Sequence, residues 1–189
     1  AEGVPLERYV VEVPKDYKRY AITESGVSPH GVPGHGPGLV AADSHTHPED
    51  GHISEDAGIR TAMVDKRLRK GEGMLKKAVP PTVSLADGYD VLVVCWGSTR
   101  HVVEEAISAL ERDDVACAHF SQVYPLSAQT GTLFNGAKTT VCVEQNATGQ
   151  FARLVRAETG IEFSHHVRKY DGRPFSVEGL AAQLAEVLE

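Results

Sequence analysis

The chain has 189 residues, of which 41% are hydrophobic, a length and composition typical of a globular protein with one full core. Its formal net charge of −7 argues against nucleic acid as a partner, because nucleic-acid-binding modules present a concentrated basic face. No apolar run reaches the roughly 20 residues that cross a bilayer, and no signal peptide opens the sequence, so we expect a cytoplasmic protein without membrane contact.

Residues 1–53 are predicted to form an irregular arm and linker. The stretch 25–38, "SGVSPHGVPGHGPG", is rich in glycine and proline, which oppose regular structure. Apolar residues flank and enter it, so we expect it to lie against other parts of the protein. The segment 43–52, "DSHTHPEDGH", carries three histidines and three carboxylates, which are donors for divalent metals. Because Pro48 and Gly51 interrupt it, we assign no metal and predict a polar connector, with a metal site as the alternative.

Residues 54–80 are predicted to form a connecting helix that begins with Ser54 as its N-cap, with Glu55 and Asp56 in the first turn. From residue 81 to residue 189 the pattern alternates strand and helix. Such alternation predicts an α/β domain with a doubly wound, mostly parallel sheet. The predicted strands are 89–97, 115–120, 138–146 and 161–167, and the predicted helices start at Ser98 and cover 128–134, 148–160 and 176–188.

Three cysteines occur singly inside apolar stretches, which excludes a self-contained iron–sulfur or structural zinc motif and predicts buried, reduced thiols: Cys95, Cys117 and Cys142. The turns that follow the predicted strands are the places where open parallel sheets bind ligands. Gly97, Ser98 and Thr99 offer an anion site at a helix start, although ordinary helix capping is the favoured explanation. A dinucleotide fingerprint, a phosphate-binding loop and a nucleophile elbow are all absent from the sequence.

Two further turns carry polar side chains. His119 and Ser121 could suggest acyl transfer, but no partner carboxylate follows from the spacing, so a histidine in the core or at an interface is favoured. The turn 144–151 is predicted to make either a hydrogen-bonded subunit contact or a polar-ligand site, with the candidates Asn146, Thr148, Gly149 and Gln150. No residue is assigned a catalytic role.

Seven segments, in this order, resemble the C-terminal part of the alpha subunit of 2-oxoacid:ferredoxin oxidoreductases of the 2-oxoglutarate type. They are "YKRYAITESGVSPHGVPG" (17–34), "GHISED" (51–56), "MVDKRLRK" (63–70), "WGST" (96–99), "HFSQVYPL" (119–126), "VEQNATGQFARL" (143–154) and "YDGRPF" (170–175). The first segment adds Thr23, Glu24 and Ser25 as candidates for an interface or a polar ligand. His30 is a departure, since the family usually has arginine there.

The resemblance implies a domain akin to the C-terminal domain of transketolase, within a complex that oxidatively decarboxylates a 2-oxoacid to an acyl-coenzyme A. It implies that thiamine diphosphate, magnesium and an iron–sulfur cluster are bound elsewhere in the complex and none by this chain. The implied partners are a pyrimidine-binding domain, a beta subunit and, through the complex, ferredoxin. The expected role is mainly structural, and a stand-alone anion- or coenzyme A-binding module is the alternative.

Overall fold

The computed structural model describes residues 10–86 and 88–189. The first nine residues of the predicted arm, and Asp87 in the predicted α/β domain, lie outside the described residues. The chain divides into two compact units, one running up to Met74 and the other from Leu75 to Glu189. We call them the first and second unit. The division at residues 53 and 80 expected from the sequence stays a prediction.

The first unit is irregular through most of its length, as its glycine and proline content predicts. Two short strands, β1 (Val10–Val11) and β2 (His30–Gly31), pair in parallel. The Tyr17 hydroxyl donates to the carbonyl of Pro29 (2.8 Å) and accepts the N–H of Gly31 (2.6 Å). Side chains from within the arm therefore satisfy backbone groups that regular structure would otherwise satisfy.

Helix α1 (Ala57–Lys76) follows the arm. The predicted N-cap at Ser54 was wrong: Asp56 Oδ1 accepts the N–H of Ile59 (2.8 Å), while the Ser54 hydroxyl accepts the N–H of Asp56 (3.2 Å). The sequence placed the start too early because both residues are good caps and only the backbone geometry separates them. Of the apolar residues on this helix, Met63 is buried, whereas the Leu68 side chain is 64% exposed.

The second unit is built on a five-stranded sheet. Its strands are β3 (Thr82–Ser84), β4 (Val91–Trp96), β5 (Val115–Phe120), β6 (Thr139–Glu144) and β7 (His165–Arg168). They lie in the order β3, β5, β4, β6, β7. All neighbours are parallel except β3, which pairs antiparallel with β5 at the edge. The predicted doubly wound, mostly parallel sheet is confirmed.

Helices cover both faces of this sheet. They are α2 (Arg100–Ser108), the short α3 (Thr130–Leu133), α4 (Gln150–Thr159) and α5 (Val177–Val187). Alternate residues of β4 point to opposite faces, so Val93 belongs to the core under α2 and α5, and Val94 to the core under α4. Within the described ranges, no helix is long and apolar enough to span a membrane.

Two further local predictions were wrong, and one strand was missed. The fourth strand begins at His165 rather than residue 161, because Phe163 packs into the core from a loop before the ladder starts. Ser98 lies within a 3₁₀ turn (Gly97–Thr99), and no side chain caps α2. The edge strand β3 was missed, since its three residues form a strand only through their pairing with β5.

Candidate functional site

The carboxyl ends of β4 and β6 lie side by side at the centre of the sheet. From β4 the chain passes through α2 to β5 on one side, and it then crosses to β6 on the other side. This reversal makes a crevice, which is the usual ligand position in doubly wound sheets. Two turns flank it: Gly97–Thr99 after β4, and residues 145–149 after β6.

The turn after β4 is held by hydrogen bonds within the protein. The Thr99 hydroxyl donates to the carbonyl of Trp96 (2.8 Å), and Thr99 is buried. A ring nitrogen of His119 lies 2.9 Å from the carbonyl oxygen of Gly97. His119 thus packs against the turn as a buried structural histidine, the role favoured from the sequence. Ser98 is exposed, and anion binding at Gly97, Ser98 and Thr99 stays a prediction.

The turn after β6 is organised around Glu144, the last residue of the strand. Its side chain is fully buried, with a relative exposure of 0%. Oε2 accepts the side-chain amide of Asn146 (2.8 Å) and the N–H of Phe151 (2.7 Å), and Oε1 accepts the N–H of Ala152 (3.2 Å). The carboxylate therefore satisfies N–H groups at the start of α4 that have no partner within the helix.

Glu144 keeps its negative charge in this position. Burial alone would raise the pKa of the carboxyl group, but the hydrogen bonds from Asn146, Phe151 and Ala152 outweigh it and hold the pKa below its ordinary value. A negative charge at a helix N-terminus is also favoured by the helix dipole. Burial and the Glu144 charge together raise the pKa of the neighbouring Cys142 thiol.

The predicted candidates in this turn divide into two groups. Asn146 and Gly149 shape the turn: Asn146 Oδ1 accepts the N–H groups of Thr148 (3.2 Å) and Gln150 (3.1 Å), and Gly149 has a φ of +65°. The side chains of Thr148 and Gln150 are exposed and form no hydrogen bond with the part of the chain that the structure describes. These two remain available to a partner or ligand.

Thr23, Glu24 and Ser25 lie at a turn in the first unit. The Thr23 hydroxyl donates to the carbonyl of Val27 (3.0 Å), and the Ser25 hydroxyl accepts the N–H of Val27 (3.3 Å). Glu24 is exposed. The hydroxyls of Thr23 and Ser25 are thus used locally, whereas the Glu24 carboxylate makes no hydrogen bond within the described residues.

The histidine-rich segment folds back onto the arm. The ring of His47 stacks on the ring of Tyr20, with centroids 3.7 Å apart. Glu49 accepts the N–H of Ile22 at 2.7 Å and the Lys18 ammonium group at 3.3 Å. In the two described ranges, His, Cys, Asp and Glu side chains form no group of three or more that could hold a metal ion.

The cysteines do not suit an iron–sulfur cluster. All three are buried, and the sulfur atoms of Cys95 and Cys117 lie 3.8 Å apart on adjacent strands. The hydrogen bond from Cys117 and burial raise the pKa of the Cys95 thiol, and burial raises that of Cys142. Iron–sulfur clusters are typically held by four cysteine thiolates, and this chain has three cysteines, all of them in core strands.

Comparison with known proteins identifies relatives of one kind. No protein-family model matches the sequence. The alpha subunit of 2-oxoacid:ferredoxin oxidoreductase 2 from Aeropyrum pernix is 32% identical, in an alignment of length 183 that covers 93% of this chain and 28% of that protein. The alpha subunit of 2-oxoacid:ferredoxin oxidoreductase 1 from Sulfurisphaera tokodaii is 30% identical, over 92% of this chain and 28% of that protein.

A solved structure agrees with these relatives. The 2-oxoglutarate:ferredoxin oxidoreductase from Magnetococcus marinus, determined with 2-oxoglutarate, coenzyme A and succinyl-coenzyme A bound, matches with a TM-score of 0.77 and 29% sequence identity. The match covers 92% of this chain and 31% of that chain. The chain thus spans less than a third of the length of the curated relatives it matches. Over nearly all of its own length, it is homologous to part of the alpha subunit of 2-oxoacid:ferredoxin oxidoreductases.

Proposed function

We propose that this chain is a structural domain of the alpha subunit of a 2-oxoacid:ferredoxin oxidoreductase of the 2-oxoglutarate type. In the complex, it supports the catalytic domains and forms contacts between domains and subunits. The observation that carries this proposal is that polar groups at the carboxyl ends of the strands are hydrogen-bonded to other groups within the protein. Glu144 accepts two N–H groups in the first turn of α4, and His119 contacts the carbonyl of Gly97, so these groups serve the fold rather than a substrate.

The proposal assigns the chemistry to other parts of the complex. A pyrimidine-binding domain and a beta subunit hold thiamine diphosphate and magnesium, an iron–sulfur cluster passes electrons to ferredoxin, and the expected location is the cytoplasm. The donor groups of this chain support that assignment, because its three cysteines are buried in core strands and the His, Cys, Asp and Glu side chains of the described residues form no group of three or more that could hold a metal ion. The division into 1–53, 54–80 and 81–189 belongs to the same proposal.

An exposed apolar residue on α1 supports a contact role. Leu68, in the first unit, is 64% exposed. A partner surface that covered it would remove a large aliphatic side chain from water. Thr148, Gln150 and Glu24 are the polar candidates for the same role.

Reconstitution of the complex tests the proposal. We expect 2-oxoglutarate-dependent reduction of methyl viologen, in the presence of coenzyme A, to require this chain. The variant Leu68→Glu should weaken assembly without lowering the thermal stability of the chain itself. Ala62→Glu adds the same charge to an exposed position on another side of α1 and is the matched control. Full activity of a complex that lacks this chain would contradict the proposal.

A second candidate is a stand-alone module that binds an anion or coenzyme A. It is supported by exposed polar residues in the turns that follow the adjacent strands β4 and β6, namely Ser98 in the first turn and Thr148 in the second. Calorimetric titration of the isolated chain with coenzyme A distinguishes the two. Saturable binding that Ser98→Ala weakens would favour the module, and the absence of any heat of binding would leave the structural role.

A further inference from the structure

A basic cleft lies beside the start of α4, on the outer side of the β6–β7 pair. Its volume is about 210 Å³. Six of its lining residues are polar or charged: Thr148, Arg153, Arg156, Glu162, His166 and Arg168. They come from the turn after β6, from α4, from the loop before β7 and from β7 itself, so the parallel sheet brings them together. We call this the basic cleft.

The charges in the basic cleft are not balanced. Three guanidinium groups and one carboxylate line it, and the buried carboxylate of Glu144, the register partner of Arg168 in the sheet, adds a second negative charge nearby, on a chain whose net charge is −7. Glu162 pairs with Arg156 at 2.7 Å. Elsewhere in the second unit, most basic side chains have an acidic partner, as in the Arg112–Asp114 and Lys138–Asp90 pairs. The basic cleft therefore has a local excess of positive charge, although the chain as a whole is negative.

Two of the arginines keep hydrogen-bonding capacity. The Arg153 side chain makes no hydrogen bond or ion pair with any residue in 10–86 or 88–189. Arg168 donates from one nitrogen, Nη1, to the carbonyl of Ala147 at 3.3 Å, which leaves its other N–H groups for a ligand. A guanidinium fork matches two oxygens of a phosphate group. The exposed Thr148 hydroxyl adds a further donor at the rim.

The start of α4 does not provide the anion site itself. Its Phe151 and Ala152 N–H groups already bind Glu144, so an incoming anion must be held by side chains. We propose that the basic cleft binds a phosphate group through Arg153 and Arg168, with Thr148 as an additional donor. This goes beyond the structural role, and it does not depend on the activity of any complex.

His166 provides a spectroscopic reporter in the basic cleft. Burial, then the charge of Arg168, lowers the pKa of its imidazole, whereas Glu144 raises it and His165 lowers it further. A bound phosphate would add a negative charge close to the ring and would raise this pKa. Because the group reports binding without being needed for it, its titration is independent of the calorimetric signal.

The test is titration of the full chain with inorganic phosphate and with pyrophosphate at constant ionic strength. Calorimetry gives the affinity, and NMR of the His166 ring protons gives the pKa. We expect saturable one-to-one binding with a rise in the His166 pKa. Arg153→Gln and Arg168→Gln should each weaken binding about tenfold, the usual effect of losing a charge-assisted hydrogen bond. Tighter binding of pyrophosphate would extend the site to a diphosphate group, and equal binding would confine it to one phosphate.

Arg173→Gln is the matched control, because Arg173 is exposed in the same unit, lies outside the cleft and has no ion pair with a described residue. It should leave phosphate binding unchanged. Equal weakening by all three substitutions would reduce the effect to non-specific charge and overturn the proposal. So would the absence of saturable binding in a chain whose circular dichroism shows a native fold.

Discussion

Replacing Glu144 with glutamine removes the buried charge around which the start of α4 is arranged, while nearly preserving the shape of the side chain. In the native turn, Oε2 accepts two hydrogen bonds and Oε1 accepts the N–H of Ala152 together with a weak contact from the Cys142 thiol at 3.5 Å. A glutamine amide has one acceptor oxygen and one donor nitrogen. Whichever way it is oriented, its NH₂ group faces at least one backbone N–H that then has no acceptor.

The expected loss of stability follows from these contacts. A buried N–H group without an acceptor costs about 1–3 kcal/mol. The lost interaction of the charge with the helix dipole adds about 1 kcal/mol, and the remaining hydrogen bonds lose their charge assistance. Against this, the desolvation cost of the ionised carboxylate disappears. We expect the free energy of unfolding of the second unit to fall by about 3 kcal/mol.

The loss should depend on pH in a defined direction. The folded pKa of Glu144 lies below its ordinary value of 4.5, so the carboxylate stabilises the folded state above that pH. The stability difference between wild type and Glu144→Gln should be full at neutral pH. It should shrink as the pH falls through the folded pKa, because a protonated glutamic acid resembles glutamine in charge.

Urea unfolding at several pH values, followed by tryptophan fluorescence, measures this difference. Trp96 is the single tryptophan and lies at the end of β4, with its ring centroid 6.2 Å from that of Phe151 in α4, so it reports on the relevant unit. The control is Glu158→Gln, an exposed residue of the same helix, which should change stability by less than about 0.5 kcal/mol. Equal stabilities for wild type and Glu144→Gln at neutral pH would refute this account of the turn.

Two further predictions concern other parts of the chain. Gly26 has a φ of +75°, and a Cβ atom there would clash with the carbonyl oxygen of Lys66. Gly26→Ala should therefore destabilise the first unit by about 2 kcal/mol and speed tryptic cleavage of the arm. Gly73→Ala, in the open on α1, should instead stabilise the helix by up to about 1 kcal/mol, and faster cleavage there too would contradict this contrast. Iodoacetamide at pH 8 should leave Cys95 and Cys142 unmodified in the native chain and should label them after denaturation, because their raised pKa values keep them as thiols. Mass spectrometry measures the labelling. Rapid labelling of the native protein would show that these two thiols are not buried.

The central strands could be predicted from the sequence because each is a continuous apolar run buried on both faces. The segment 115–120 was predicted with the bounds that the structure shows, and 89–97 and 138–146 contain β4 and β6. β3 could not be found in this way, since its residues are largely exposed and only the antiparallel pairing with β5 defines them as a strand. Edge strands carry little apolar pattern, and their existence is decided by tertiary contacts.

The candidate site was predicted less completely than the fold. The turn after β6 could be predicted as a candidate site from its many polar side chains, but the special role of Glu144 within it was not recognised. A carboxylate at the end of an apolar strand, six residues before a helix, is nevertheless a detectable signal. The basic cleft was missed altogether. Arg153 and Arg168 are fifteen positions apart, and they share a cleft only because β7 lies next to β6 in a parallel register that pairs Arg168 with Glu144.

The same carboxylate that stabilises the turn also determines where an anion can bind at this edge of the sheet. In the central crevice, Trp96 packs beside Phe151, and Glu144 places a negative charge on the helix N–H groups that would otherwise attract a ligand. A second anion at those groups would be repelled by Glu144 in a region that is poorly screened by water. On the outer side of β6, the guanidinium groups of Arg153 and Arg168 provide positive charge near solvent. The charges of Glu144, Arg153 and Arg168 therefore explain both why the central crevice has a structural role and why we place the anion site in the basic cleft.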